Sequence, residues 1–319
     1  MASPLPPDPA PEAHPRVPGA HALAGSASPP PIRCGIAGWS YPDWAGRVYG
    51  KGVRDQLAFI ARYVDLIEIN NTFYRPPEAK NAASWVRRTA ALPGFLFSAK
   101  LHQDVTHRFV IEPSTVAAFR GGLEPIRSAG KLSHLLAQFR YDFADGPESR
   151  DLLHRIRENF ASIAELVVEV RHVSWQSPGA LEFLRNLGVT VANIDFPMAK
   201  DSFSLEQCVI GRNGYLRLHG RNRKAWFDAR AGRDETYDYL YSPRELARIK
   251  DRATGLAIAY QSLTIVANNH YRGKEVANAL ELKHLLTGRK VEVPPALVEE
   301  YPRLREIAVE PGPEPGSIV

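Results

Sequence analysis

Glu68, Glu169, Lys100, Arg171, Asp195 and His219 are the side chains in this chain whose types suit proton transfer, and each ends or closely follows a short apolar run. Two glutamates in different surroundings can divide acid and base roles: burial favours the protonated form, whereas a neighbouring cation holds the carboxylate ionised. Lys100 and Arg171 are the cations expected to do the latter. His219 precedes Gly220, where the backbone can come close to a ligand, so the imidazole is placed to relay a proton or touch a phosphate. Asn70, Gln138, Arg217, Arg221 and the run Asn268-Asn269-His270 are expected to orient a bound molecule, with Trp39, Tyr41 and Tyr74 as aromatic walls. The bland alternative is that Glu68, Lys100, Glu169, Arg171 and Arg217 only neutralise one another, and that the asparagines cap loops.

These groups share a pattern because side chains alternate across a strand. In the run 166–171, Leu166, Val168 and Val170 make one apolar face and leave Val167, Glu169 and Arg171 on the other. Sorting 65–70 and 215–219 the same way sends Ile67, Ile69, Leu216 and Leu218 outward, and Glu68, Asn70, Arg217 and His219 inward. Ser98, Lys100 and His102 form a similar row, while Asn193 and Asp195 close another run.

Eight such strands are expected, at 33–38, 65–70, 95–100, 132–138, 166–171, 190–195, 215–219 and 263–268. Amphipathic stretches at 54–63, 79–91, 114–128, 150–160, 180–187, 244–253 and 274–286 lie between or after them. Strand-helix alternation calls for a parallel sheet covered by helices. The count of eight, with no Gly-rich fingerprint after the first strand and polar ends on all the strands, favours a TIM-type (β/α)8 barrel over an open doubly wound sheet. Only 196–214 lacks helical periodicity, so a loop or distorted helix is expected there. Residues 1–31 are rich in Pro, Ala and Ser and read as a disordered tail; 32–288 hold the barrel, and 289–319 form a C-terminal extension strapped over it.

Composition excludes several classes. With 319 residues, 44% hydrophobic and 24% charged, the chain can bury a large core. No run approaches the about 20 apolar residues of a membrane-spanning helix, and the N-terminal stretch does not read as a secretory signal. Cys34 and Cys208 stand alone, without disulfide or zinc spacing, which fits a reducing cytoplasm. A net charge of +5 mildly favours an anionic partner.

The motifs in combination are specific. Gly35-Ile36-Ala37-Gly38-Trp39-Ser40-Tyr41 with Trp44, and Ile67-Glu68-Ile69-Asn70-Asn71-Thr72-Phe73-Tyr74-Arg75, resemble the YecE-like family, a domain of unknown function. So do Lys100 with Thr106-His107, Gln138-Phe139, Val168-Glu169-Val170-Arg171-His172 with Trp175, Tyr215-Leu216-Arg217-Leu218-His219-Gly220-Arg221, and Asn268-Asn269-His270 with Asn278-Ala279. The likeness spans about 33–286 and implies a TIM-type barrel akin to the endonuclease IV and xylose isomerase group, without a settled reaction. Val266-Ala267-Asn268 and Gly273-Lys274-Glu275 depart from the family pattern, which bears on local packing only.

Two functions are carried forward. One is an enzyme acting on a phosphate- or sugar-bearing substrate, with Glu68 or Glu169 as general acid/base and the basic loop of Arg221, Arg223, Lys224, Arg230 and Arg233 as a phosphate site. The other is a non-catalytic nucleic-acid module that stacks bases on Trp39, Tyr41, Trp44, Phe73, Tyr74 and Tyr271. No cofactor and no structural metal are expected, since the cations compete for the carboxylates and no tight ligand spacing occurs; a weakly held catalytic ion among Glu68, Glu169, Asp195, His102, His219 and His270 stays open.

Overall fold

Nine parallel strands, most of them buried on both faces, make up the sheet in the computed structural model, which describes residues 29–309. They are β1 (Ile32–Ala37), β2 (Leu66–Ile69), β3 (Leu96–Lys100), β4 (Leu132–Gln138), β5 (Glu165–Glu169), β6 (Thr190–Val191), β7 (Asn193–Asp195), β8 (Gly214–Leu218) and β9 (Leu263–Ala267). Their order is β6-β5-β4-β3-β2-β1-β9-β8-β7. β6 and β7 are two pieces of one stave, interrupted at Ala192: the first pairs with β5, the second with β8. Both edges of the sheet therefore meet in a single segment, and the nine strands form the eight staves of a TIM-type barrel.

The two faces separate as alternation requires. Ala37, Leu66, Leu136, Val167, Ala192, Ile194, Tyr215 and Val266 come from strands around the whole sheet yet form one cluster, which only the barrel axis permits. Ile67, Ile69, Leu135 and Val168 point the other way, into a larger core with the helices, and Leu216 and Leu218 pack outward in a third cluster.

Helices Ala79–Arg88, Pro113–Ser128, Pro147–Phe160, Pro178–Leu187, Pro243–Ile258 and Lys274–Thr287 cover the barrel, with a short helix Gln56–Ile60 after β1. Several begin with proline, whose missing N–H costs nothing in a first turn. Ser242 caps the helix Pro243–Ile258 through a reciprocal pair with Glu245. No helix occurs in 196–213, as expected from its lack of periodicity.

Most of the tail expected at 1–31 lies outside the described residues, as does the end of the C-terminal extension beyond 309. The described part of that extension is a strap. Val291 and Ala308 form a parallel bridge, Leu297 is fully buried, and Glu300 meets Arg272 at 2.7 Å, below the loop that follows β9.

Candidate active site at the barrel mouth

Because all strands run the same way, their C-terminal ends share one rim, the usual address of chemistry in this architecture. The deepest polar group there is Arg217 of β8, which has no solvent exposure. Its Nη2 is 2.6 Å from Oε1 of Glu68 on β2, and its Nη1 is 2.5 Å from Oε2 of Glu169 on β5. Both glutamates are also fully buried. Arg171 clamps the other Glu169 oxygen, with Nη2 at 2.6 Å, and the Tyr215 hydroxyl donates to Oε2 of Glu68 at 2.9 Å while lying 2.9 Å from Ser98. Burial alone would raise the Glu169 pKa, but Arg217 and Arg171 outweigh it and hold the carboxyl well below its usual range. Burying unpaired charges costs several kcal/mol each, roughly; here each guanidinium is matched by carboxylate, and the group forms the floor of the mouth.

A second row carries this order upward. His219, fully buried, is pushed down to about 4 by burial, against the pull of Glu169, and is neutral at pH 7. Its Nε2 lies 3.3 Å from Oε1 of Glu169 and its Nδ1 3.1 Å from Nδ2 of Asn268. One neutral tautomer satisfies both contacts: Nε2–H donates to the carboxylate and Nδ1 accepts from the amide. The Asn268 amide is thereby oriented, with its carbonyl oxygen left for the space above.

That space is a cavity of about 460 Å³ lined by Trp39, Tyr41, Asn70, Tyr74, Lys100, Gln138, Asn268 and His270 of the expected residues. Gln138 Oε1 accepts from Arg217 at 2.9 Å and from Lys100 at 3.2 Å, so its amide nitrogen is the end available to a ligand. Lys100 Nζ stands 4.6 Å from the Phe73 ring centroid and is in no ion pair among the described residues. Burial, reinforced by Arg217, lowers its pKa to about 8. Gly38 closes the wall at φ +93°, where a Cβ would come 2.6 Å from the Tyr41 hydroxyl, so only glycine fits comfortably.

Some expected residues are elsewhere. Asp195 is on the outward face, because Ala192, Ile194 and Phe196 take the inward parity of that stave. Its carboxylate is held by Arg221 at 2.6 Å and by the Tyr241 hydroxyl at 2.7 Å, so neither Asp195 nor Arg221 lines the cavity. Asn193 likewise faces outward, exchanging two hydrogen bonds with the backbone of Cys208. Asn269 turns away to donate to the Tyr239 carbonyl. His102 caps the short helix Gln103–Thr106. Glu68 and Glu169, expected to meet substrate directly, lie beneath the cavity with their oxygens committed.

The aromatic rim is also more committed than expected. Trp44 is fully buried and donates to the His270 carbonyl at 2.8 Å, which ties the first loop to the last. Tyr41 stacks on His270 at 4.5 Å; Tyr74, 57% exposed, is the freer surface.

Sequence reasoning gave no site role to Tyr215, which stood only within a motif of the family likeness although it shares the parity of Arg217, and missed Tyr237, which reaches the cavity from the irregular loop after β8 where no periodicity could signal it. Asn71 and His107 line the cavity too, and stood only within motifs of the family likeness. Glu275, in the departing stretch Gly273-Lys274-Glu275, is fully buried, and burial pushes its carboxyl well above the usual range. Among the described residues no group of three His, Cys, Asp or Glu side chains is placed to hold a metal ion, and no helix is long and apolar enough to cross a membrane.

Closed barrel, charged floor and polar mouth together define a TIM-type β/α barrel with a polar cavity at its C-terminal rim. The chain belongs to the family described as "Protein of unknown function DUF72", whose model matches residues 33–302, in agreement with the YecE-like likeness of its motifs. It is similar to UPF0759 protein YunF of Bacillus subtilis (strain 168), with 25% identity over 272 residues, covering 80% of this chain and 94% of the relative. Among solved structures, a DUF72 family protein from Thermotoga maritima superposes with a TM-score of 0.71 at 29% identity, covering 81% of this chain and 99% of the other. Another, from Enterococcus faecalis, does so at 0.70 and 23% identity, covering 80% and 95%.

Proposed function

We propose that the barrel mouth is an active site that binds an anionic, phosphate- or sugar-bearing small molecule and moves a proton on it. The observation that carries this reading is the contrast between floor and wall. Below, Glu68, Arg217, Glu169 and Arg171 neutralise one another; above, Lys100 and the amides of Gln138 and Asn268 are oriented by that floor and left without partners of their own across the cavity. A network serving packing alone would have no reason to end in aimed, unspent polar groups beside an open space.

The acid/base chemistry expected of the glutamates takes an indirect form here. Glu169 fixes the tautomer of His219 and keeps Arg217 in place, and Lys100, whose pKa of about 8 lies near working pH, is the group that exchanges a proton with the ligand. Arg233 at the cavity edge supplies positive charge for a phosphate or carboxylate.

Calorimetric titration with sugar phosphates, the corresponding free sugars and a single-stranded oligonucleotide, each at low and high salt, tests the reading. Saturable binding of a sugar phosphate, weakened by Gln138→Leu, supports it. Tight oligonucleotide binding with a steep salt dependence, unaffected by that change, would favour the nucleic-acid module instead.

A further inference from the structure

We infer that Lys100 is a nucleophile that forms a covalent imine with the carbonyl carbon of a ketone or aldehyde ligand that also carries an anionic group. This rests on the reading of the mouth as an active site and names the class of molecule it takes.

The placement of the amine carries the argument. Lys100 closes β3 and its Nζ opens on the cavity, yet its one hydrogen-bond acceptor among the described residues is the neutral amide oxygen of Gln138, at 3.2 Å. The nearby carboxylates, which would fasten the lysine as an ammonium, are turned onto Arg217 and Arg171. A lysine meant only to neutralise an anion gains nothing from losing both acids to its neighbours. An amine that must shed a proton gains directly, because burial and the guanidinium charges of Arg217 and Arg171 disfavour the ammonium and outweigh the pull of Glu68 and Glu169 and the attraction of the Phe73 ring face, 4.6 Å away. The resulting pKa of about 8 leaves an appreciable neutral fraction at pH 7. His107, also on the wall, is itself lowered to about 4 by burial and Lys100, so it adds no competing charge at that pH.

The step balances without an outside oxidant. The ammonium gives up a proton, the free nitrogen attacks the carbonyl carbon, and a C–N bond forms as the C=O electron pair moves to oxygen. That oxygen takes up two protons and leaves as water, so ammonium plus carbonyl yields protonated imine plus water. Arg233, at the open edge, is the cation for the ligand's anionic group. Gln138 offers its amide N–H to a hydroxyl, and Asn268 offers its carbonyl oxygen to another. A phosphorylated or carboxylated hydroxy-ketone or hydroxy-aldehyde matches that set.

The full chain is incubated at pH 7 with sodium cyanoborohydride and, separately, dihydroxyacetone phosphate, glyceraldehyde 3-phosphate or pyruvate, and labelled peptides are quantified by mass spectrometry. The expected result is labelling of Lys100 at least ten-fold faster than exposed Lys80 with one or more probes, abolished in Lys100→Arg while the circular-dichroism melt of that variant stays at the parent value. Should Lys100→Arg melt early, Lys100→Met is read in its place. Labelling of Lys100 no faster than Lys80 with all three probes overturns the inference. If a probe binds calorimetrically in a manner sensitive to Gln138→Leu yet leaves Lys100 unlabelled, the imine fails and the mouth reading stands. If no probe binds and none labels, both fail.

Discussion

Lys100 and Gln138 meet at 3.2 Å, on the same Oε1 that Nη1 of Arg217 reaches at 2.9 Å. One amide oxygen thus couples the cavity wall to the buried charges beneath it. Gln138→Leu leaves Lys100 without its acceptor and Arg217 Nη1 with Glu169 alone, which costs about 1–3 kcal/mol by urea denaturation. Gln138→Glu instead sets a carboxylate beside Lys100, and the pH at which Lys100 becomes reactive moves up by about one unit. Reactivity is read as the pH profile of Lys100 labelling, in the setting of Glu68, Glu169, Arg171, Arg217 and His107.

Arg217→Met strands Glu68 and Glu169 without their shared cation in a fully buried position. Loss of about 3–5 kcal/mol is expected from removing one partner of such a group. Combining it with Glu68→Gln and Glu169→Gln recovers a large part of the loss. Equal instability of the single and triple variants would show that shape rather than charge dominates the floor.

Glu169→Gln keeps the shape of the side chain but cannot accept from Arg171, Arg217 and His219 as an anion. Ligand affinity is expected to fall by ten-fold or more, because Asn268 loses its orientation through His219. A variant that folds and binds as the parent does would remove Glu169 from the account.

Acid lability follows from the buried groups. The folded pKa of His219 is about 4, below its ordinary 6.5, and His134, buried with neither ring nitrogen partnered, is also lowered by burial. Both take up protons more readily unfolded than folded, so stability is present above pH 6.5 and is lost as pH falls toward 4. Glu169, held low, adds a further loss below the ordinary carboxylate range. In urea melts across pH 4–7, His134→Phe flattens the profile, since the ring packs against Tyr215 without needing a hydrogen bond; an unchanged slope would assign the effect elsewhere.

Asp195→Asn separates the two roles considered for that residue. Clamped by Arg221 and Tyr241 on the outer face, it is expected to lower the melting temperature while leaving ligand affinity within two-fold of the parent. A loss of affinity at unchanged stability would return Asp195 to the site.

The floor was legible in the sequence because β2, β5 and β8 each keep one parity apolar (Ile67 and Ile69, Leu166 and Val168, Leu216 and Leu218), while the other turns from Leu66, Val167 and Tyr215 to Glu68, Glu169 and Arg217 toward the C-terminal end. The stave at 190–195 carries Val191, Ala192 and Ile194 on both parities, and the rule then cannot tell inside from outside; Asp195 was misplaced for that reason. Depth was invisible as well: period two says which way Glu169 points, not that Lys100, Gln138 and Asn268 stand between it and a ligand. Helices were read late at their starts, at 150 for Pro147 and 180 for Pro178, because proline marks a boundary without saying on which side. Arg233, expected within the basic loop, does line the cavity, whereas Tyr237 comes from the same irregular segment, whose path is set by packing on distant residues, and local pattern carries no trace of that.

The most direct test is a crystal of this chain soaked with dihydroxyacetone phosphate. Density in the barrel mouth, with the ligand in contact with Lys100, Gln138 and Asn268 and its phosphate toward Arg233, is the result the account requires. A mouth left to solvent at saturating ligand, or a ligand held away from those residues, would contradict it.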